Sequence, residues 1–321
     1  MKTLNLLLIL IILFSANSFA EQEYSDFAIE LISCNGDFGS APYNDPCSVL
    51  GKPATNCKNM PGAWGLNNFR VKLVEAAYNI DLENKKVITT INPGEYIVVK
   101  FDHKVVDYPG NLYGKDFIVF GNSFFTGSGV YIDDNANMGQ FTISDLKSSS
   151  AGEIKVSVSQ DGQTWYAFDS GPFSDYLFPT QAYRWDQELY SATENGWSDE
   201  EMDFTRPLDP NLTVSDFASH SVAYGINLYD GSAGGTSYDL ENLAGYDSLA
   251  IDSDSGYRWI QYVKFDGHDY GGQIDAVSDV AACGDPTHPY PVGDINNDCS
   301  VNLIDFALMS QNWLKCTYDC N

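Results

Sequence analysis

The chain has 321 residues, with 17 Lys plus Arg against 44 Asp plus Glu and a formal charge of −27 at pH 7. That balance excludes a nucleic-acid binder of the usual kind, because a phosphate backbone is held mainly by Lys and Arg. It does not imply disorder: 44% of the residues are hydrophobic and 14% aromatic, and many Tyr, Phe and Gly beside only 19% charged residues make the composition of a strand-and-turn protein with a sizeable core.

The first element carries an address. Lys2 precedes an almost wholly apolar stretch from Leu4 to Phe14, and Ser18 and Ala20 put small residues at the −3 and −1 positions of a cleavage site. Residues 1–20 are therefore expected to be a signal peptide, with the mature, secreted chain starting near Glu21. The apolar run is far shorter than the ~20 residues that cross a bilayer, and no comparable run follows, so no membrane span is expected.

Export makes the cysteines interpretable, since thiols pair in an oxidising compartment. Cys34, Cys47 and Cys57 lie near the mature N-terminus, Cys283, Cys299, Cys316 and Cys320 lie at the other end, and none falls between. This distribution predicts local staples at two irregular ends around a core that holds itself together. Seven is odd, and the unpaired thiol is expected in the N-terminal trio. No CxxC is present, which argues against structural zinc.

Residues 21–283 read as one all-β domain. Strands are predicted at 86–91, 96–101, 117–120, 140–143, 222–228 and 260–265, each mixing β-branched or aromatic residues in near alternation. Turn chemistry separates them, as at Asn92-Pro93-Gly94 and Tyr108-Pro109-Gly110-Asn111. The clearest hairpin has arms at 153–159 and 164–168: Ile154, Val156 and Val158 share one face, and Asp161-Gly162 suits the positive φ angles of a tight turn. Residues 73–80 could form one short helix. The architecture expected from this is a β-sandwich, of jelly-roll type.

The hairpin residues Val156, Val158, Asp161, Gly162 and Trp165 resemble the strand signature of galactose-binding-like (discoidin-type) sandwiches, which implies attachment to sugars or surfaces. A wider set is similar to bacterial cell-surface proteins: Asp45, Pro46, Leu50, Gly51 and Pro53; the run 115–122; the run 234–240; and Ile274 to Val277. These stretches span nearly the whole central region, which implies a single domain and a location more than a reaction.

Residues 284–292 contain three prolines and mark a stiff linker. Residues 293–321 form a tail of different character. Counting Asp294 as position 1, oxygen-bearing side chains fall at 1, 3, 5, 9 and 12, with Ser300 at 7 offering its carbonyl, the spacing of an EF-hand-like calcium loop. Ca2+ takes six to eight hard oxygens, and the candidate ligands are Asp294, Asn296, Asp298, Ser300, Asn302 and Asp305. The loop runs into a predicted helix at 303–314 with Leu303, Phe306, Ala307, Trp313 and Leu314 on one face, Asn302 as N-cap and Asp305 in the first turn.

Loop and helix together resemble one repeat of a type I dockerin, and the resemblance implies a cohesin-like or cell-surface partner. Two features differ from that family: dockerins normally carry two repeats, and Cys299 stands where the loop turn usually has Gly, at a cost of about 1 kcal/mol that a disulfide could offset. A continuous helix would carry Cys316 ~16 Å beyond Asp305, too far for Cys299. The pairing expected is therefore Cys283 with Cys299 and Cys316 with Cys320.

Catalytic signatures are missing. The sequence has no G-x-S-x-G, H-E-x-x-H or G-x-x-x-x-G-K, and no catalytic or organic-cofactor residue is assigned. The four histidines are not at ligand spacing and read as surface or turn residues. Asp252-Ser253-Asp254-Ser255-Gly256 and Asp133-Asp134-Asn135 read as polar turns, and Trp165, Trp185 and Trp259 as core. The function expected is that of a secreted, non-catalytic surface or carbohydrate-binding protein with a calcium-binding attachment module. The alternative is an extracellular polysaccharide-degrading glycoside hydrolase carrying a dockerin; a dockerin raises that prior only by analogy.

Overall fold

The structure, a computed structural model, describes residues 25–55, 57–58, 70–74, 80–81, 86–128, 134–147, 153–174, 178–191, 194–280, 290, 292–296, 301 and 303–312. The strands are β1 (Glu30–Asn35), β2 (Cys57–Lys58), β3 (Ile80–Asp81), β4 (Thr89–Ile91), β5 (Tyr96–Val106), β6 (Phe117–Gly121), β7 (Phe124–Ser128), β8 (Thr142–Lys147), β9 (Glu153–Ser159), β10 (Tyr166–Ala167), β11 (Tyr183–Trp185), β12 (Trp197–Glu201), β13 (Thr236–Tyr238) and β14 (Trp259–Asp279). The helices are α1 (Val214–Phe217), α2 (Val222–Leu228) and α3 (Leu303–Asn312). The body is thus mostly antiparallel sheet with few helices, as the composition implied.

The 21-residue strand β14 organises the body. Its first half pairs with β5 and β9, which carry β1 and β10 on their outer sides; its second half pairs with β4 and β6, and β6 carries β13. The bend between the halves needs glycine. A Cβ on Gly267 would lie 2.0 Å from the Asn92 carbonyl oxygen, and Gly271 has φ +71° with its Cβ direction 2.6 Å from the Ile91 oxygen.

One apolar cluster draws from both halves: Ile97, Val99, Phe101 and Val105 of β5, Ile154, Val156 and Val158 of β9, Val263, Phe265, Ile274 and Val277 of β14, and Phe117 and Val119 of β6. Phe117 stacks on Tyr238 of β13 at 4.8 Å between centroids. The alternate residues Ile118 and Phe120 of β6, with Ala276 and Val280, join a second cluster with Leu73, Phe125, Ile143, Trp185, Trp197, Phe217 and Ile226. Burial on both faces is why β6 reads as an unbroken apolar run and not as an alternating one.

The hairpin β9–β10 forms as expected, with Tyr166 opposite Val158. Only Gly162 takes positive φ, +70°; the Asp161 carboxylate instead accepts the Gln163 and Thr164 amides at 2.8 and 2.7 Å. The predicted strand at 140–143 is displaced, because Met138–Gln140 make a 3-10 turn and β8 begins at Thr142. Of the predicted helix 73–80, Ile80 lies in β3, and residues 75–79 fall outside the described set.

The predicted strand 222–228 is a correction: these residues form α2. Val222, Tyr224, Ile226 and Leu228 alternate, yet Tyr224 is 44% exposed, and the buried set is Val222, Ala223, Gly225 and Ile226, one face of a helix. Ser221 decides the outcome locally by accepting the Tyr224 amide as N-cap, and the Gly225 amide bonds back to the Ser221 carbonyl at 2.9 Å.

Candidate functional site

Among the described residues of the tail, Asp305 makes the contact that joins loop and helix. It sits in the first turn of α3, 3% exposed, and its Oδ1 accepts the backbone amide of Ile295 at 2.7 Å and that of Asn296 at 3.4 Å. Positions 2 and 3 of the loop are thereby drawn against position 12, so the loop closes on the helix start. Asp294 is also withdrawn from solvent, at 9% exposure. Asp298, Ser300 and Asn302 lie outside the described residues, as do the four C-terminal-half cysteines, Trp313 and Leu314.

Among the described residues no three His, Cys, Asp or Glu converge as a metal group. The donors that are described are of the kind a hard cation takes: two largely buried carboxylates and an amide oxygen, in a tail whose described residues bury little apolar surface. The face of α3 opposite Asp305 is apolar and open, with Leu303 83% and Phe306 62% exposed and Ala307 beside them.

In the body, an open groove of about 870 Å³ runs along the β11–β12 hairpin. Its lining includes Trp185 and Trp197, which meet at 5.1 Å in a T-shaped contact and are largely buried. Its walls carry Arg184, Asp186, Gln187, Glu188, Asp199 and Asn227, all exposed. Such planar carboxylate, amide and guanidinium groups can hydrogen-bond ring hydroxyls. A smaller cavity of about 250 Å³, lined by Phe168, Phe178, Leu208 and Leu212 with the Lys115–Asp239 ion pair at 3.5 Å, is more apolar.

Sequence reasoning missed a set of buried ionisable groups. His103 was expected at the surface; it is 4% exposed, with Nδ1 2.8 Å from Asp102 Oδ1 and Nε2 2.7 Å from Asp279 Oδ2. Burial works against its charge, but the two carboxylates outweigh burial and raise its pKa. Asp275, fully buried at a bulge of β14, accepts the Ala54 amide at 2.8 Å and faces Lys86 Nζ at 3.5 Å. Asp116 accepts the Leu240 amide at 2.7 Å and the Asn111 side-chain amide at 3.0 Å, and burial pushes its pKa well up.

The chain matches no protein-family model and no curated protein sequence.

The other sequence readings find their places. Asp252 turns the chain at 252–256, accepting the Ser255 amide at 3.0 Å and pairing with Lys104, so this acidic stretch is a polar turn. Of the tryptophans read as core, Trp185 is buried, whereas Trp165 and Trp259 are half-buried, with Lys104 Nζ 4.8 Å over the Trp259 ring. No helix among the described residues is long and apolar enough to cross a membrane.

Proposed function

We propose that this chain is an exported, non-catalytic surface or carbohydrate-binding protein: a β-sandwich of jelly-roll type, followed by a calcium-organised, dockerin-like module for attachment. The observation that carries the reading is the capture of the Ile295 and Asn296 amides by the Asp305 carboxylate, which brings the two ends of the twelve-residue loop together. Asp294, Asn296, Asp298, the Ser300 carbonyl, Asn302 and Asp305 would hold Ca2+, whose charge would offset that of the carboxylates in this set. The open face with Leu303, Phe306 and Ala307 supports a role in attachment, since exposed apolar patches rimmed by polar residues mark interaction sites. The groove with Trp185 and Trp197 is the body's best match to a polysaccharide ligand.

Two measurements test this. Titration of the full chain with calcium should give one binding event that Asp294→Ala or Asp305→Ala abolishes and Asp319→Ala leaves intact; no heat at millimolar calcium would refute the calcium module. A glycan array read beside reducing-sugar release should give binding without release. Turnover that a single Asp or Glu substitution in the body abolishes would establish a hydrolase instead.

A further inference from the structure

The N-terminal region holds a strand with little to hold it. β1 is an edge strand that bonds only to β5 among the described strands, and of its six side chains just Leu31 is even half-buried. Edge strands with so little apolar burial open at low free-energy cost. The chain leaves β1, turns through Gly36 and Gly39, and comes back as the 3-10 turn Pro46–Val49, which packs against β1. The return is fixed at several points: the Gly51 amide bonds the Ala28 carbonyl at 2.9 Å, Thr89 Oγ1 donates to the Asp45 carbonyl at 2.6 Å, and Asp45 Oδ1 caps the Cys47 amide at 2.9 Å.

Each of the two packed elements carries a cysteine. Cys34 is on β1 opposite Ile97, Cys47 is in the turn, and both thiols are free and exposed. The Cys47 thiol is pushed up, by burial first and then by the Asp45 carboxylate, with Cys34 adding to both. Cys57, the third member of the trio, belongs to a separate ladder, where it pairs with Asp81.

We infer that Cys34 and Cys47 are a disulfide-forming pair that staples the edge strand β1 to the 3-10 turn, leaving Cys57 as the odd thiol of the N-terminal trio. The oxidant is a small disulfide. One cysteine thiolate attacks it and releases one thiol, giving a mixed disulfide; the second thiolate then displaces the other thiol. Two protons leave the protein, two electrons reduce the oxidant, and one S–S bond forms. The inference rests on the body alone and is independent of the tail and of any glycan.

The test uses the full chain, reduced and then equilibrated with a glutathione redox buffer, alkylated, and digested with chymotrypsin without reduction. Cleavage after Phe38, Tyr43 and Leu50 puts the three cysteines on separate peptides. The expected product joins the Cys34 and Cys47 peptides, lighter by two hydrogens than their sum, with Cys57 alkylated. A link from Cys57 to either one, or alkylation of both Cys34 and Cys47, would overturn the inference. In melting experiments Cys34→Ser and Cys47→Ser should each lower Tm equally under oxidising conditions, with no further loss in the double variant, and the three should match wild type in reductant. Unequal or additive losses would also overturn it.

Discussion

His103 gives the protein a stability that falls as pH rises. Its folded-state pKa is raised above the ordinary value of about 6.5, so over a window starting there the folded chain holds a proton that the unfolded chain has released. The contribution is complete below about pH 6.5 and is lost as pH climbs through the raised pKa, at up to about 1.4 kcal/mol per pH unit. Replacing His103 by Gln keeps a donor but removes the titration and the positive charge between Asp102 and Asp279. Asp279 is 2% exposed, so the variant leaves a buried carboxylate short of its cation, a loss of about 3–5 kcal/mol at acid pH. Urea unfolding of wild type and His103→Gln, from about pH 5.5 to 9.5 in half-unit steps, reads the effect directly as the difference between the two curves, because every other residue is common to both. The stability gap should be widest at the acid end and narrow above about pH 6.5. A gap that stays constant over the whole range, or widens with pH, would refute the assignment of a charged imidazole to this site.

Lys72 is 1% exposed and its Nζ has no hydrogen-bond partner among the described residues, so Lys72→Met should raise stability by about 1–3 kcal/mol, read as a higher urea midpoint at unchanged slope. Gly267→Ala should cost about 1–3 kcal/mol or more, since its Cβ meets a backbone oxygen at the bend of β14; a neutral Tm change would show that the bend relaxes freely. Phe117→Ala, fully buried and stacked on Tyr238, should cost about 3–5 kcal/mol by the same denaturation assay. A chain ending at Cys283 should keep its near-UV circular dichroism and its melting temperature, because the three prolines in residues 284–292 predict a linker with few contacts across it.

Strands with local, uninterrupted periodicity were legible in the sequence. Ile154, Val156 and Val158 alternate, and they face the core; the run at 117–120 is continuous because both its faces are covered. The length of β14 was not legible. Bulges at 260–262 and 274–276 shift the side-chain phase, and Gly267, Gly271 and Gly272 look like turn residues when they in fact bend one strand. α2 was misread because a strand and a helix both fit seven residues, and only the Ser221 cap distinguishes them. His103 was within reach: Ile97, Val99, Phe101 and Val105 alternate into the core, and His103 occupies the missing place in that series. Ending the predicted strand at Phe101 hid it.

The same structural facts sort the carboxylates, which composition alone could not do. A buried acid must be paired or hydrogen-bonded, and each of the three deepest in the body is committed in this way: Asp275 to the Ala54 amide and Lys86, Asp279 to His103, and Asp116 to the Leu240 amide and Asn111. Each partner comes from a different stretch of chain, so these acids fasten loops and neighbouring strands to β14 and β6. Groups buried and committed to the fold in this way are poor candidates for reaching a sugar or a water. Asp186, Glu188 and Asp199 are different, because they stand exposed around the groove that Arg184 also lines, and Asp199 lies 3.5 Å from Arg70. In a chain with 44 acids, burial and pairing thus withdraw Asp116, Asp275 and Asp279 from a ligand, whereas Asp186, Glu188 and Asp199 of the β11–β12 hairpin stay open to solvent.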